Sequence, residues 1–501
     1  MESREPATID RISSLPDEII SHVLSFLPTK YAVATVALSR RWKDLSTSLR
    51  DLDFDNRLVH RNPLETREFK RRRDLEFSRF VVKVLRQHKN LNSVRRFRFQ
   101  FSVDYYDCEL SRDVWCPWME SAQLEEIDIR LKSVYDVGPI CELWSPPVSF
   151  FTLKNLNVLK LTGIRIDIMP ASVCLSSLKI LQLLKVRTKD FELLSRLISG
   201  CPVLETLHLE NCCFKIWNFD QVLIASIPSL KNLTVIDNDR WLLCSIEMEA
   251  PNLEHLYLVN FGELQFMGSS SPLSCVHSAW VDTPVYEKTL VDDDEVEYRH
   301  HDGPRRIGLL TQISNAKEML LSWQTLNFLT FVNDNVAVQP LLPLFRDLTH
   351  FTVRPSENSL RCSDTKLARS SFVLHSLLNS ASKLQHLVID MGNRRIRMEW
   401  EDAEELACIP ECMLSSLEEI EIQNLKADED ERKMVAYLLK AGAVLKKVNM
   451  HLFEDVVGYD LDDMEARLEL ASLLKLPRGS STCEAHLFLP NGDEIHIDSN
   501  V

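Results

Sequence analysis

The chain has 501 residues, with 58 Lys and Arg against 73 Asp and Glu, 13 Cys and a hydrophobic share of 45%. A net charge of −15 argues against a general nucleic-acid binder, which carries a basic excess. Twelve glycines make about a third of the average share of ~7%, too few to favour glycine loops that cradle nucleotide phosphates.

The N-terminus, Met1-Glu2-Ser3-Arg4-Glu5-Pro6, carries charge and no apolar stretch, so no secretory signal is expected. No apolar run approaches the ~18 residues of a membrane span. The expectation is an intracellular protein of nucleus or cytoplasm, its cysteines mostly buried as small hydrophobes in a reducing compartment.

Residues 9–50 read as a small helical head. Ser14-Leu15-Pro16-Asp17-Glu18 is a helix start: an early Pro costs no hydrogen bond, and two carboxylates oppose the N-terminal dipole. Ile20, Val23, Leu24 and Leu27 then share one helical face, with Ile12, Leu15, Ile19 and Phe26 mainly off it. Pro28-Thr29 breaks that helix, and Leu38, Trp42, Leu45 and Leu49 mark a further one. About 40 residues bury too little surface to stand alone, so the surplus apolar face is expected to meet a partner.

Leu15-Pro16-Asp17-Glu18-Ile19-Ile20, then Phe26-Leu27-Pro28-Thr29-Lys30, then Ala32-Val33 and Leu38-Ser39-Arg40-Arg41-Trp42 resemble an F-box over roughly the whole segment. In that family the motif docks on the Skp-type adaptor of cullin–RING ubiquitin ligases. The resemblance implies adaptor contacts at Leu15, Pro16, Ile19, Leu24, Leu27, Pro28, Leu38, Ser39 and Trp42. Tyr31 stands where many plant members carry an acidic residue, and Ser46 where they often carry Trp.

A basic tract follows. Residues 57–98 hold 14 Lys and Arg against 4 Asp and Glu, including Lys70-Arg71-Arg72-Arg73. Nuclear import is one reading, and a charged linker with a solvated helix is the other.

Beyond it, apolar-x-x-apolar-x-apolar recurs. Clear copies start at Leu156, Leu178, Leu204, Leu230 and Leu253, spaced 22, 26, 26 and 23 residues apart, within the ~20–29 window of leucine-rich repeats. Weaker copies start at Val94, Leu124, Val276, Ala316, Leu348, Leu384, Leu417 and Leu445. Such strands bury their apolar residues only by stacking on neighbours. Helical patterns such as Phe191 to Ile198, stopped by Gly200, lie between strands. The fold class expected is therefore α/β, a right-handed solenoid with a parallel concave sheet, similar to ribonuclease inhibitor. Cys201 to Cys212 resembles the repeat form of plant F-box proteins.

The residue between the last two apolar positions of each copy points to the concave face. That column is Arg98, Asp128, Lys160, Gln182, His208, Thr234, Tyr257, Trp280, Leu320, Thr352, Val388, Glu421 and Asn449. Tyr257 and Trp280 on consecutive repeats, flanked by His208 and Leu320, form the candidate substrate-binding hot spot, with core filling as the other reading of Trp280. The long interval from Val276 to Ala316 implies a loop insertion. Farther on, Cys412 to Ile420, a helix from Asp428 to Lys440 with Met434, Tyr437 and Leu438 inward, a stop at Gly442, and Leu445 to Met450 resemble the FBD region. Gly479 stands where alanine is more usual in it.

Chemistry is sparse. Gly303-Pro-Arg-Arg-Ile-Gly308 lacks the Lys and Ser/Thr of a phosphate loop. Cys212-Cys213 and Cys408/Cys412 offer no C-x-x-C zinc pair, and His300-His301 beside Asp292 to Glu295 reads as a solvated loop. No catalytic residue, cofactor or metal site is expected, and no nucleic-acid or membrane partner. The organisation expected is an F-box of three helices at 8–54, a basic helical linker at 55–90, the leucine-rich-repeat solenoid at 91–407 and an FBD cap at 408–490. The resemblance implies a non-catalytic substrate-recognition subunit of a Skp–cullin–F-box ubiquitin ligase, bound to the adaptor, through it to a cullin, and to a protein substrate. The alternatives are a repeat-type binding scaffold outside any ligase and, more remotely, an enzyme or small-molecule receptor.

Overall fold

Pro16 and Pro28 each stand immediately before a helix, α1 (Asp17–Ser25) and α2 (Thr29–Ala34). Ser39 caps α3 (Arg40–Ser46), its hydroxyl accepting the Trp42 N–H at 3.5 Å. α1 packs on α3 through a narrow strip. Ile20 and Leu24 are 1% exposed while Val23 is 48% exposed and Leu27 38%. The expected four-residue face is thus split: Ile20 and Leu24 join Trp42 in the head's core, and Val23 and Leu27 face outward.

The computed structural model describes residues 12, 14–58, 66–103, 123–133, 145–188, 191–214, 222–237, 245–259, 264–267, 273–282, 303–326, 342–356, 365–367, 370–392, 396–398, 400, 408–454 and 470–495. They fall in two compact units, residues 1–217 and 218–501.

In the first unit the head runs directly into a parallel sheet. β1 (Asp51–Asp55) pairs with β2 (Arg96–Val103), then β3 (Glu126–Ser133), β4 (Val158–Thr162) and strands Ile180–Leu184 and Thr206–Glu210, all in chain order. The apolar residue opening each copy, Val94, Leu124, Leu156, Leu178 and Leu204, is buried, as stacking requires. α4 (Arg67–Gln87) lies over the first strands, Phe77 meeting Phe99 and Phe101 at 6.0 and 5.8 Å between ring centroids. The basic tract is therefore solvated on one face only: Phe77, Val81, Val84 and Leu85 are buried, and so is Arg73 of the Lys70–Arg73 run. The helix expected at Phe191 spans Phe191–Ser199, and the Gly200 N–H bonds back to the Arg196 carbonyl at 3.0 Å.

In the second unit nine parallel strands follow in chain order: Asn232–Ile236, His255–Val259, Ser278–Asp282, Glu318–Ser322, His350–Arg354, His386–Asp390, Glu419–Leu425, Lys447–Leu452 and Glu484–Phe488. Leu230, Leu253, Val276, Ala316, Leu348, Leu384, Leu417 and Leu445 are all buried beneath them. The two-glycine stretch at Gly303 opens a helix, Gly303–Gln312. Most of the insertion before it, with Asp292 to Glu295 and His300-His301, lies outside the described residues.

Among the described residues the FBD segment holds three strands, a short helix, Glu411–Ser415, and a longer one, Glu429–Ala441. Asp428 caps that helix by accepting the Glu431 N–H at 2.9 Å. Met434 and Leu438 face inward as expected, joined by Val435 and Leu439, while Tyr437 is only half-buried. Of the seven described free cysteines, Cys201, Cys212, Cys412 and Cys483 are buried, and Cys174 and Cys408 are exposed. Burial pushes the Cys201 and Cys412 thiols up to about 12, which keeps them unreactive.

Candidate functional site

The head presents an apolar surface. Ile19, Val23, Phe26, Leu27, Tyr31 and Leu38 are all exposed, Phe26 at 74% and Leu38 at 66%. So many large apolar side chains left exposed together form a patch of the kind that partners cover. Arg41 holds the start of α1, its guanidinium bonding Asp17 at 2.6 Å and the Leu15 carbonyl at 2.5 Å. Of the positions singled out in the sequence, Pro16, Ile19, Leu27, Leu38 and Ser39 are exposed, and Leu15 and Pro28 are partly so. Leu24 and Trp42 are different. At 1% and 7% exposure they form the head's core and reach a partner only through the frame they hold. Val23, Phe26 and Tyr31 were missed, because helical spacing reports which residues are apolar and not which are covered.

Buried polar contacts join the head to the sheet and brace the first strands against each other. The fully buried Thr29 hydroxyl accepts the Asp53 N–H at 2.7 Å. The Asn56 side chain bonds the Ser102 backbone twice, at 2.9 Å each. The His88 ring bonds the Leu49 carbonyl at 2.7 Å and accepts the Asn90 N–H at 3.3 Å. One ring nitrogen donates and the other accepts, which is neutral imidazole; burial lowers the His88 pKa in agreement.

The residues between the last two apolar positions line up across neighbouring strands within each unit. In the first, Asp53, Arg98, Asp128, Lys160, Gln182 and His208 stand opposite one another strand by strand. Its opening positions are a charge ladder: Arg98 lies 3.7 Å from Asp53 and 3.4 Å from Asp128, and Arg130 adds two 2.8 Å bonds to Asp128. Burial raises the Asp53 carboxyl above its usual range, against the pull of Arg98. A cleft of roughly 260 Å³ opens there between Phe26 and Leu27 of the head and Asp51, Asp53, Arg96 and Arg98 of the sheet. His208 is half-buried, 3.4 Å from the Glu210 carboxylate.

In the second unit Thr234, Tyr257, Trp280, Leu320, Thr352, Val388, Glu421, Asn449 and His486 align. Ala279 and Val281 carry the core while Trp280 is half-buried on the opposite face. The Tyr257 and Trp280 rings lie 4.4 Å apart, tilted by 53°, and the Arg354 guanidinium sits 3.5 Å above the indole. That stack is aromatic and cationic, the composition of an interface anchor. Along the neighbouring edge the His350 and His386 rings stack at 4.4 Å, and His386 meets Glu419 at 3.1 Å. Asp53, His486 and Arg354 escaped the sequence reading; Arg354 reaches Trp280 from a strand 74 positions later, which only the register discloses. Among the described residues no group of three or more His, Cys, Asp or Glu is arranged to hold a metal ion, and no helix is long and apolar enough to cross a membrane.

Comparison with known proteins agrees with this arrangement. Family models match in chain order: the F-box domain over residues 12–54, "FBD-associated F-box protein At5g56370, LRR repeats" over 113–277, and FBD over 404–450. The chain is 30% identical over 490 residues to F-box/LRR-repeat protein 13 of Arabidopsis thaliana, covering 95% of each chain. It is 27% identical over 506 residues to the F-box/FBD/LRR-repeat protein At5g22660 of the same plant, covering 95% of this chain and 96% of that one. An F-box, leucine-rich repeats and an FBD region in that order, over nearly the whole length, place this chain in the F-box/FBD/LRR-repeat protein family.

Proposed function

We propose that this chain is the substrate-recognition subunit of a Skp–cullin–F-box ubiquitin ligase, acting in the nucleus or cytoplasm. The observation that carries the reading is the exposed apolar surface of the head, Ile19, Val23, Phe26, Leu27 and Leu38, within the segment the F-box model matches. Leu15, Pro16, Pro28 and Ser39 complete the docking surface for a Skp-type adaptor and, through it, a cullin. Leu24 and Trp42 hold it in shape.

Strands stacked in chain order over buried anchors support a leucine-rich-repeat solenoid of the ribonuclease-inhibitor kind behind a three-helix F-box, closed by the FBD region. Its concave columns hold a protein target, with Tyr257 and Trp280 as anchors in one unit and His208 in the other. Catalysis is by proximity. The chain raises the target's effective concentration and fixes its orientation beside a ubiquitin-charged enzyme, and makes or breaks no bond itself.

The test is reconstitution with adaptor, cullin, RING subunit and conjugating enzyme. Proteins captured by the wild-type chain should gain ubiquitin. Leu15→Ala with Pro16→Ala should abolish transfer while leaving capture intact, and Tyr257→Ala with Trp280→Ala should abolish capture while leaving adaptor binding intact. Captured proteins that never gain ubiquitin in the complete assembly would overturn the reading.

A further inference from the structure

The basic tract has no role in that account, and its geometry is not that of an extended tag. Lys70 to Arg73 lie on α4 with Arg73 9% exposed, so the run exists as a helix face and not as free chain. Arg72, Leu75, Arg79, Lys83 and Arg86 recur at intervals of three and four, which puts them on one stripe. It lies opposite the Phe77, Val81, Val84 and Leu85 face that packs on the sheet. From Arg72 to Arg86 it runs about 21 Å at ~1.5 Å per residue.

Two features mark this stripe as unfinished. Arg72 pairs with Glu76 at 3.2 Å, but Arg71, Arg79, Lys83 and Arg86, all exposed, have no ion-pair partner among the described residues. Like charges at i,i+4, as at Arg79 and Lys83, repel. Beside them Phe69 is 65% exposed and Leu75 45%. The helix thus keeps uncompensated cations and bare apolar side chains together on a protein whose net charge is −15.

We propose that the outer face of α4 is a docking site for an acidic protein segment that also carries apolar side chains. Carboxylates of that segment meet Arg71, Arg72, Arg79, Lys83 and Arg86, and its apolar groups cover Phe69 and Leu75. Charge complementarity selects the occupant. A nucleic acid would meet the same cations but has no aliphatic groups to cover Leu75, and an anionic membrane is the competing occupant that the vesicle probe below tests. This surface lies on the side of the sheet away from the Arg98 column, and the inference is independent of adaptor docking.

Fluorescence anisotropy with the full chain tests it against four probes. These are a poly-glutamate peptide of about twenty residues, long enough to span the stripe, a matching glutamate peptide with leucine at every fourth position, a single-stranded oligouridine, and phosphatidylserine vesicles. The glutamate–leucine peptide should bind about tenfold more tightly than poly-glutamate, and more tightly than RNA or vesicles, with affinity falling as salt screens the charges. Arg79→Gln with Lys83→Gln should weaken it about tenfold, and Phe69→Ser with Leu75→Ser should bring it down to the poly-glutamate level. All four substitutions are on solvent-facing positions, and melting curves check that each variant is folded. Equal binding of the two peptides, preference for RNA or vesicles, affinity indifferent to the substitutions, or no binding at all would overturn the proposal.

Discussion

The fully buried hydroxyl of Thr29, at the start of the second head helix, accepts the backbone N–H of the half-buried Asp53 in the first strand of the sheet at 2.7 Å. Twenty-four residues apart in sequence, the two fix where the head sits on the repeats. Thr29→Val keeps the shape but leaves the Asp53 N–H without an acceptor, which should cost about 1–3 kcal/mol. A lower melting temperature for the full chain, with the head and first strand losing amide-exchange protection together, is the expected result. Unchanged melting would mean that the contact is replaceable.

Core and surface positions in the head should separate cleanly. Leu24→Ala removes a side chain that is 1% exposed and should destabilise the protein by about 2–5 kcal/mol. Ile19→Ser, at 47% exposure, should leave melting nearly unchanged and act only on partner capture. Equal thermal effects of the two would contradict the division between frame and docking surface.

Gly479 is required by close approach. A Cβ there would stand 2.4 Å from the Lys440 carbonyl oxygen and 3.2 Å from that of Gly442, both on backbone that closes the helix Glu429–Ala441. Gly479→Ala should therefore cost about 1–3 kcal/mol by overpacking. Calorimetry of the full chain reads it, and a stabilised variant would show that the helix end can move.

Glu431 gives a dependence on pH. Its carboxylate accepts the N–H groups of Lys426 at 2.6 Å and Ala427 at 2.8 Å, yet burial, reinforced by Asp428, pushes its pKa up to about 7 from an ordinary 4.5. The folded state thus holds this proton more tightly than the unfolded chain. Its stabilising contribution is fully present below pH 4.5 and is lost as pH rises through 7. Relative to Glu431→Gln, which does not titrate, the wild type should lose on the order of 3 kcal/mol across that window. Denaturant melts of both proteins at pH 5 and pH 8 check this, and a pH-independent difference would contradict it.

The repeat was legible because stacking forces every inward residue to be apolar. The thirteen anchors from Val94 to Leu445 are buried where the spacing put them, and the residues between them align by register. β1 was hidden although Leu49-x-x-Leu52-x-Phe54 has the spacing, because it follows the head without a break. The last strand, Glu484–Phe488, carries no such signal: Ala485 and His486 are both half-buried and Cys483 stands near the anchor position. The Trp280–Arg354 stack and the outward turn of Val23 and Phe26 depend on which elements meet, and local periodicity holds no information on that.

The affinity of the folded full-length chain for a purified Skp-type adaptor tests the central claim most directly, measured for the wild type and for Ile19→Ser with Leu38→Ser. Docking through the exposed head surface predicts wild-type binding, and its loss in the variant at an unchanged melting temperature. A folded wild type that does not bind, or a variant that binds equally well, would contradict the account and leave a repeat-type binding scaffold outside any ligase.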